Sequence, residues 1–355
     1  MVNITMKQIA EDLGVSISAV SLVLNGHANG RIRPELAQRI HEETQRLGYK
    51  PNRMARSIRT NRTYILGFIS DEIATTPFAG RLILGAQTAA QQLGYTLLVV
   101  NTNGDDELEA QEIATLKQYG VDGFLYARMF NQTVQVPESL RKDPLVLLDA
   151  REAQSNIPSI VPDEIQIGKD ATTRLIDAGC RRIAYIGADG DLDAEQGRMQ
   201  GYRQVLEKAG LPFDDNLVIH PHIGTQTSQE VQELTERFHP DGFFCFNDAR
   251  AWSVYMEAAK HGVVVGKQIS VVGVDNHQVI AETFTPHLTT IELPHYEMGY
   301  WGTQKLVSLI DGADANDAVK HAHTRAALPS LSRRHARIHC ALVEKESVAE
   351  SSADS

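Results

Sequence analysis

Cysteine is scarce in this chain: Cys180, Cys245 and Cys340 are the only three among 355 residues. Thiols that are few, odd in number and far apart build neither a disulfide framework nor a metal-ligand spacing, and they suit a reducing cytosol. Long apolar runs are missing too, none approaching the roughly 20 residues that cross a bilayer. The opening MVNITMKQIAEDLG has acids by position 11 and no apolar stretch, which speaks against a secretory signal. No G-x-G-x-x-G turn or P-loop is present, since IGADGD at 186–191 has the wrong spacing, and there is no G-x-S-x-G elbow. His220/His222 and His321/His323 are isolated pairs without an acid–His framework, and they read as exposed loops rather than zinc ligands. These absences argue against an enzyme, and neither a catalytic residue, a metal nor a cofactor is expected.

Positive charge is also short overall, with a formal net charge of -11, but its distribution is uneven. Residues 1–62 hold ten Lys/Arg against five acids, leaving 24 bases against 40 acids in the remainder. A basic head on an acidic body suggests a nucleic-acid module joined to something else. The length fits two or three units rather than one core.

The head reads as three short helices. Thr5 with Gln8 forms a capping box, Met6, Ile9, Ala10 and Leu13 recur at helical spacing, and Gly14 stops the helix. Ser16 caps a second helix with Ala19, Val20, Val23 and Leu24 inward, ended by Asn25-Gly26. Pro34 opens a third helix carrying Leu36, Ile40 and Leu47, ended by Gly48. Two helices joined by a short Gly-containing turn make the helix-turn-helix layout, whose second helix enters the major groove. The Arg-rich run KPNRMARSIRTNRT at 50–63 reads as a linker able to form a short helix against a partner. From Tyr64, apolar runs at 65–70, 96–100, 123–127, 145–149, 182–187, 242–246 and 269–274 read as strands. They alternate with helical stretches at about 80–93, 107–119, 166–178, 194–209, 226–238, 248–261 and 295–311. That alternation implies parallel sheets, and too many strands for one: two α/β lobes with a cleft between them are expected. The polar end, 344–355, is expected to be disordered.

Several runs then carry a resemblance. MKQIAEDLGVSISAVSLVLNG, LGYKPNRMARSIRTNRTYILGFIS, GRMQGYRQVL, FCFNDARA and ISVVGVDN with PHLTTIELPHYEMG are similar, in order and in register, to segments of the LacI/GalR family of repressors. The resemblance implies a helix-turn-helix domain at 1–50, a hinge helix at 51–63, a two-lobed periplasmic-binding-protein-like core at 64–330 and a tail at 331–355. It implies a cytoplasmic transcriptional regulator, most often a repressor. Its partners would be double-stranded operator DNA, a small effector and a second copy of itself, sometimes as a dimer of dimers. A corepressor-responsive or activating regulator, or a cytosolic sugar-binding protein without a DNA role, are the alternatives.

By that resemblance Ile17, Ser18 and Leu22 occupy base-reading positions, and Ser16, Ser21 and Asn25 position the DNA backbone. Leu22 stands where relatives carry a polar reader, so a thymine methyl is its fitting contact, and Ala19 replaces a threonine. Core packing is the competing reading for Ile17 and Leu22. In the hinge, Ile58 matches the residue wedged between base pairs, Met54 and Ala55 the hinge–hinge contact, and Arg53, Arg56 and Arg59 the phosphate contacts. Asp149, Arg198, Asn247 and Asp275 match effector-contacting positions and Phe78 a cleft-lining one, with Asp71, Asp163 and Phe246 added from their places near strand ends. The competing reading for an Asp after a strand is a helix cap, expected of Asp248, while Asp163 could merely brace a crossover. Acids with one arginine favour a neutral sugar over a nucleobase or an anion. Leu293 and Asn276 depart from the family pattern, standing in place of a glutamine and an aspartate.

Overall fold

A computed structural model of the chain describes residues 4–24, 28–49, 62–73, 76, 79–222, 224–312 and 324–350. The chain divides into two compact units, Met1–Thr63 and Tyr64–Ser355.

In the first unit α1 spans Met6–Leu13, α2 Ile17–Leu24 and α3 Pro34–Arg46. The caps are those the sequence asks for. Thr5 Oγ1 accepts the Gln8 N–H at 3.3 Å, and Ser16 Oγ accepts the Ala19 N–H at 3.1 Å. Gly14 closes α1 with φ of 65°, a left-handed turn that costs glycine nothing and hands the chain directly to α2. Ile9, Ala10, Val20, Val23 and Ile40 form the small core.

The second unit contains two six-stranded sheets. In chain order it runs β1 (Ile65–Ser70), α4 (Gly80–Gln92), β2 (Thr96–Asn101), α5 (Asp106–Gln118), β3 (Gly123–Thr133), β4 (Leu145–Arg151) and β5 (Ser159–Pro162). Then come α6 (Glu164–Asp177), β6 (Ile183–Ile186), α7 (Asp193–Lys208), β7 (Val218–Ile219), α8 (Thr225–Phe238), β8 (Gly242–Cys245) and α9 (Asp248–Lys260). The chain ends with β9 (Ser270–Val274), α10 (Gln278–Ala281), β10 (Thr289–Glu292), α11 (His295–Asp311), β11 (His335–Ile338) and β12 (Ala341–Val343). The first lobe's sheet has the order β11-β5-β4-β3-β1-β2 and the second lobe's β12-β10-β9-β8-β6-β7. All pairings are parallel except β10 with β12. The chain therefore passes between lobes three times, after β5, after β10 and after β11, and α11 packs its Met298, Trp301 and Leu306 into the first lobe's core.

Five short strands, β5, β7, β10, β11 and β12, escaped the periodicity reading, because two to four residues carry too little pattern. The polar end departs from its expected disorder through residue 350. Ser347 is fully buried, accepting the Thr289 N–H at 2.8 Å and donating to the Val271 carbonyl at 2.6 Å, and Val348 enters the second lobe's core. Small polar side chains here satisfy backbone groups at the starts of β9 and β10, a role that composition alone does not reveal. No helix among the described residues is long and apolar enough to cross a membrane.

Candidate functional site

On α2 the helical turn separates two faces. Val20 and Val23 point into the core, whereas Ser16, Ile17 and Ser18 are exposed and Ser21 and Leu22 half-buried. Ile17 is 48% exposed, which removes core packing as its explanation, and Leu22 is not among the side chains packed on the core. Asn25, Arg53, Met54, Ala55, Arg56, Ile58 and Arg59 lie outside the described residues, as does Phe78.

The second candidate site lies where β1, β3, β4, β6, β8 and β9 end, as the topology of parallel sheets requires. Backbone strain marks it. Of nine non-glycine residues with positive φ among those described, Phe130, Asn131, Asp149, Asp275 and Asn276 sit at these strand ends. β3 and β4 lose register between Ala127 and Gln132, and this bulge turns Asn131 and Asp149 toward each other, so that the Asn131 N–H donates to the Asp149 carboxylate. Asp149 Oδ1 and Asn131 Oδ1 are nonetheless buried without a hydrogen-bond partner among the described residues. Burial pushes the Asp149 carboxyl well above the usual range, and the charges of Glu164 and Asp71 push the same way against the pull of Arg198.

Arg198 comes from α7, which lies against α6 at glycine contacts. A Cβ on Gly168 would stand 2.1 Å from the Arg198 carbonyl, and one on Gly201 would stand 2.2 Å from the Ile165 carbonyl. This approach lets Arg198 Nε reach Glu164 at 2.8 Å, while Nη1 donates to the Phe246 carbonyl at 2.5 Å. Its guanidinium also lies 4.2 Å from the Phe246 ring centroid. Burial opposes its charge, yet Glu164 and Asp275 raise its pKa above the ordinary arginine value. Asp275 is in turn pushed well up by burial and by neighbouring Asp248. Phe246 bridges the lobes, its ring 6.4 Å from that of Phe130.

The remaining sequence candidates have other partners. Asn247, not Asp248, caps α9, its Oδ1 accepting the Arg250 N–H at 3.1 Å. Asp248 instead accepts from Thr290 Oγ1 at 2.6 Å and the His277 N–H at 2.7 Å, tying β8 to β10 and α10, because the preceding Asn already faces the open helix end. Asp163 caps α6 through the Gln166 N–H at 3.2 Å, and Asp71 accepts the N–H groups of Glu72 and Met129. Leu293 is buried in the second lobe's core, and Asn276 binds Glu292 and Lys345. His220 and His222 do have acids nearby, Glu195 at 3.2 Å and Asp189 at 2.5 Å. Those acids come from distant segments brought close only by folding. His321 and His323 are outside the described residues. Asn131 and Arg250 were missed: strand β3 was expected to end at 127, and Arg250 lies inside FCFNDARA without drawing notice.

Polar links cross between the lobes beside this cleft. Asp193 accepts from Thr133 Oγ1 and Arg151 Nη2, each at 2.7 Å, and Arg81 lies 3.6 Å from Glu292.

A helix-turn-helix head followed by a two-lobed binding-protein core, with strained polar groups facing across a cleft, defines the class of ligand-binding DNA regulators. Residues 5–52 match the model of bacterial regulatory proteins of the lacI family, and residues 63–330 that of periplasmic binding proteins and the sugar-binding domain of the LacI family. The chain belongs to the LacI family; it is a DNA-binding transcriptional regulator and not an enzyme. Similar proteins include the HTH-type transcriptional regulator DegA of Bacillus subtilis, 30% identical over 83% of this chain and 88% of DegA. The HTH-type transcriptional repressor PurR of Vibrio atlanticus is 30% identical over 90% of this chain and 96% of its own. Among solved structures, a LacI-family regulator from Rhizobium etli aligns with TM-score 0.70 at 28% identity, covering 81% of this chain and all of that one. A lac repressor dimer bound to operator and an anti-inducer aligns with TM-score 0.72 over 98% of this chain and all of its own, a likeness of fold at 19% identity.

Proposed function

We propose that the chain is a repressor whose grip on a pseudo-palindromic operator is set by a sugar-class effector held between the core lobes. Ser16, Ile17, Ser18, Ser21, Leu22 and Asn25 form the reading face, with Ile17 and Leu22 making apolar contacts to base edges and the hydroxyls holding phosphates. The segment with Arg53, Met54, Ala55, Arg56, Ile58 and Arg59 supplies the minor-groove contact. In the core, Asp149, Asn131, Arg198, Asn247, Asp275 and Phe246 take the effector, with Phe78 along the wall. Asp71 and Asp163 hold backbone and stand behind them.

The observation that carries this reading is the pair of buried, unpartnered acceptors, Asp149 Oδ1 and Asn131 Oδ1, in a cleft that also holds the Arg198 guanidinium and the Phe246 ring. Buried polar atoms are almost always hydrogen-bonded, so these acceptors suit a ligand rich in hydroxyl donors. The names of similar proteins support the same class: the ribose operon repressor of Escherichia coli is 29% identical over 86% of this chain. Dimerisation is supported by Trp252, Met256 and Val279, exposed apolar side chains on α9 and α10 that a second copy would cover. Through that dimer, one head meets each half-site.

The test is a chain that starts at Thr63. It should lose specific operator binding by roughly a thousandfold or more in gel shift while keeping its thermal stabilisation by the effector. Specific binding retained at full strength would end the proposal.

A further inference from the structure

Arg250 lies on the first turn of α9, beside Asn247, and is 5% exposed. Its guanidinium stands 5.3 Å from the Phe246 ring that Arg198 also contacts, which places it beside the same cleft. The two arginines differ in how they are held. Arg198 is clamped by Glu164 and a carbonyl. Arg250 Nη1 is 3.4 Å from Asn247 Oδ1, Nη2 is 3.4 Å from the Pro221 carbonyl and 3.8 Å from Asp189, and Nε is buried with no hydrogen-bond partner among the described residues. These contacts lie at or beyond the edge of a good hydrogen bond.

The acids around Arg250 are each shared with another, closer partner. Asp189 is hydrogen-bonded to His222, which holds its carboxyl below the usual range. Glu195 Oε2 accepts from the Tyr185 hydroxyl and the Ala188 N–H, both at 2.9 Å, and Oε1 lies 3.2 Å from His220, while the charges of Glu195 and Asp189 both support that of Arg250 against its burial. Asp248 is used by Thr290 and His277, and Glu164 by Arg198. Among the described residues Asp149 is held by the Asn131 N–H alone and Asp275 by charge alone, and burial pushes the pKa of both up. Removing a guanidinium from water without a tight counter-ion is costly, and its planar fork fits a carboxylate or phosphate.

We infer that the effector carries an acidic group, a carboxylate or phosphate on a polyhydroxy skeleton, and that Arg250 receives that group while Asp149, Asn131 and Asp275 take its hydroxyls. The inference rests on the cleft reading above and reverses the expectation of a neutral sugar, which counted one arginine.

The experiment measures thermal midpoint and calorimetric affinity of the full chain with matched probes: glucose, gluconate and glucose 6-phosphate; galactose and galacturonate; ribose and ribose 5-phosphate. An acidic member should bind at least roughly tenfold tighter than its neutral partner, and the carboxylate and phosphate arms tell which group is taken. Arg250→Gln should erase that preference, and Arg250→Lys, which keeps the charge, should restore part of it. A neutral sugar binding as well as its acid, or an undiminished preference in Arg250→Gln, overturns the inference and leaves the cleft reading standing. Binding by none of the probes counts against the cleft reading itself, and this inference goes with it.

Discussion

In the head, Ile17 is 48% exposed while Val20, three residues on, is fully buried; in the core, Arg198 is 2% exposed and tied to Glu164 at 2.8 Å. On the proposed roles, the head keeps recognition and folding on separate faces of one helix, and the core does both with the same buried groups. Recognition changes in the head should therefore spare stability, whereas changes in the cleft should alter stability and ligand response together.

The strongest way to break this contrast is at the α6–α7 contact. Gly201→Ala pushes a methyl against the Ile165 carbonyl, and overpacking of this kind costs about 1–3 kcal/mol or more. A fall in the core's thermal midpoint together with weakened effector binding is expected, because Arg198 shifts with its helix. An unchanged midpoint would show that the helices have room to part.

Asp149→Asn sharpens the contrast through pH. The folded protein holds the Asp149 proton more tightly than the unfolded chain does, so the stability this group contributes is present at low pH and lost as pH rises through its folded value. The substitution removes that loss. The variant should melt above the wild type near pH 8, the gain shrinking toward pH 4, while effector binding is lost. Melting curves across pH check the sign, and a variant less stable than wild type near pH 8 would contradict it.

Ile17→Ala tests the head. Operator affinity should fall roughly tenfold or more, with stability changed by no more than about 0.5 kcal/mol, read by anisotropy titration and thermal melt. A large loss of stability would return Ile17 to the core.

The head was readable residue by residue, since Thr5, Ser16, Gly14 and Pro34 act within a few positions of themselves and the apolar spacing does the rest. The long strands and helices of the core were readable for the same reason. The cleft was only half legible. Asp149, Arg198, Asn247 and Asp275 stand at strand ends or on the helices that follow, where the alternation points. The Asn131 bulge, the tie of Asp248 to Thr290 in place of a helix cap, and the loose hold on Arg250 by Pro221 and Asp189 depend on contacts between segments apart in sequence. The ordered end at Ser347 and Val348 is the same case, a polar stretch whose partners, Val271 and Thr289, lie more than fifty residues away.

The central claim is that occupancy of the cleft changes the grip of the head. Operator affinity of the full chain, measured with and without a saturating cleft ligand in wild type and in Asp275→Asn, tests it most directly. A shift of roughly 5–150-fold in wild type and none in the variant is the predicted result. Equal operator affinity in wild type with and without bound ligand would contradict it.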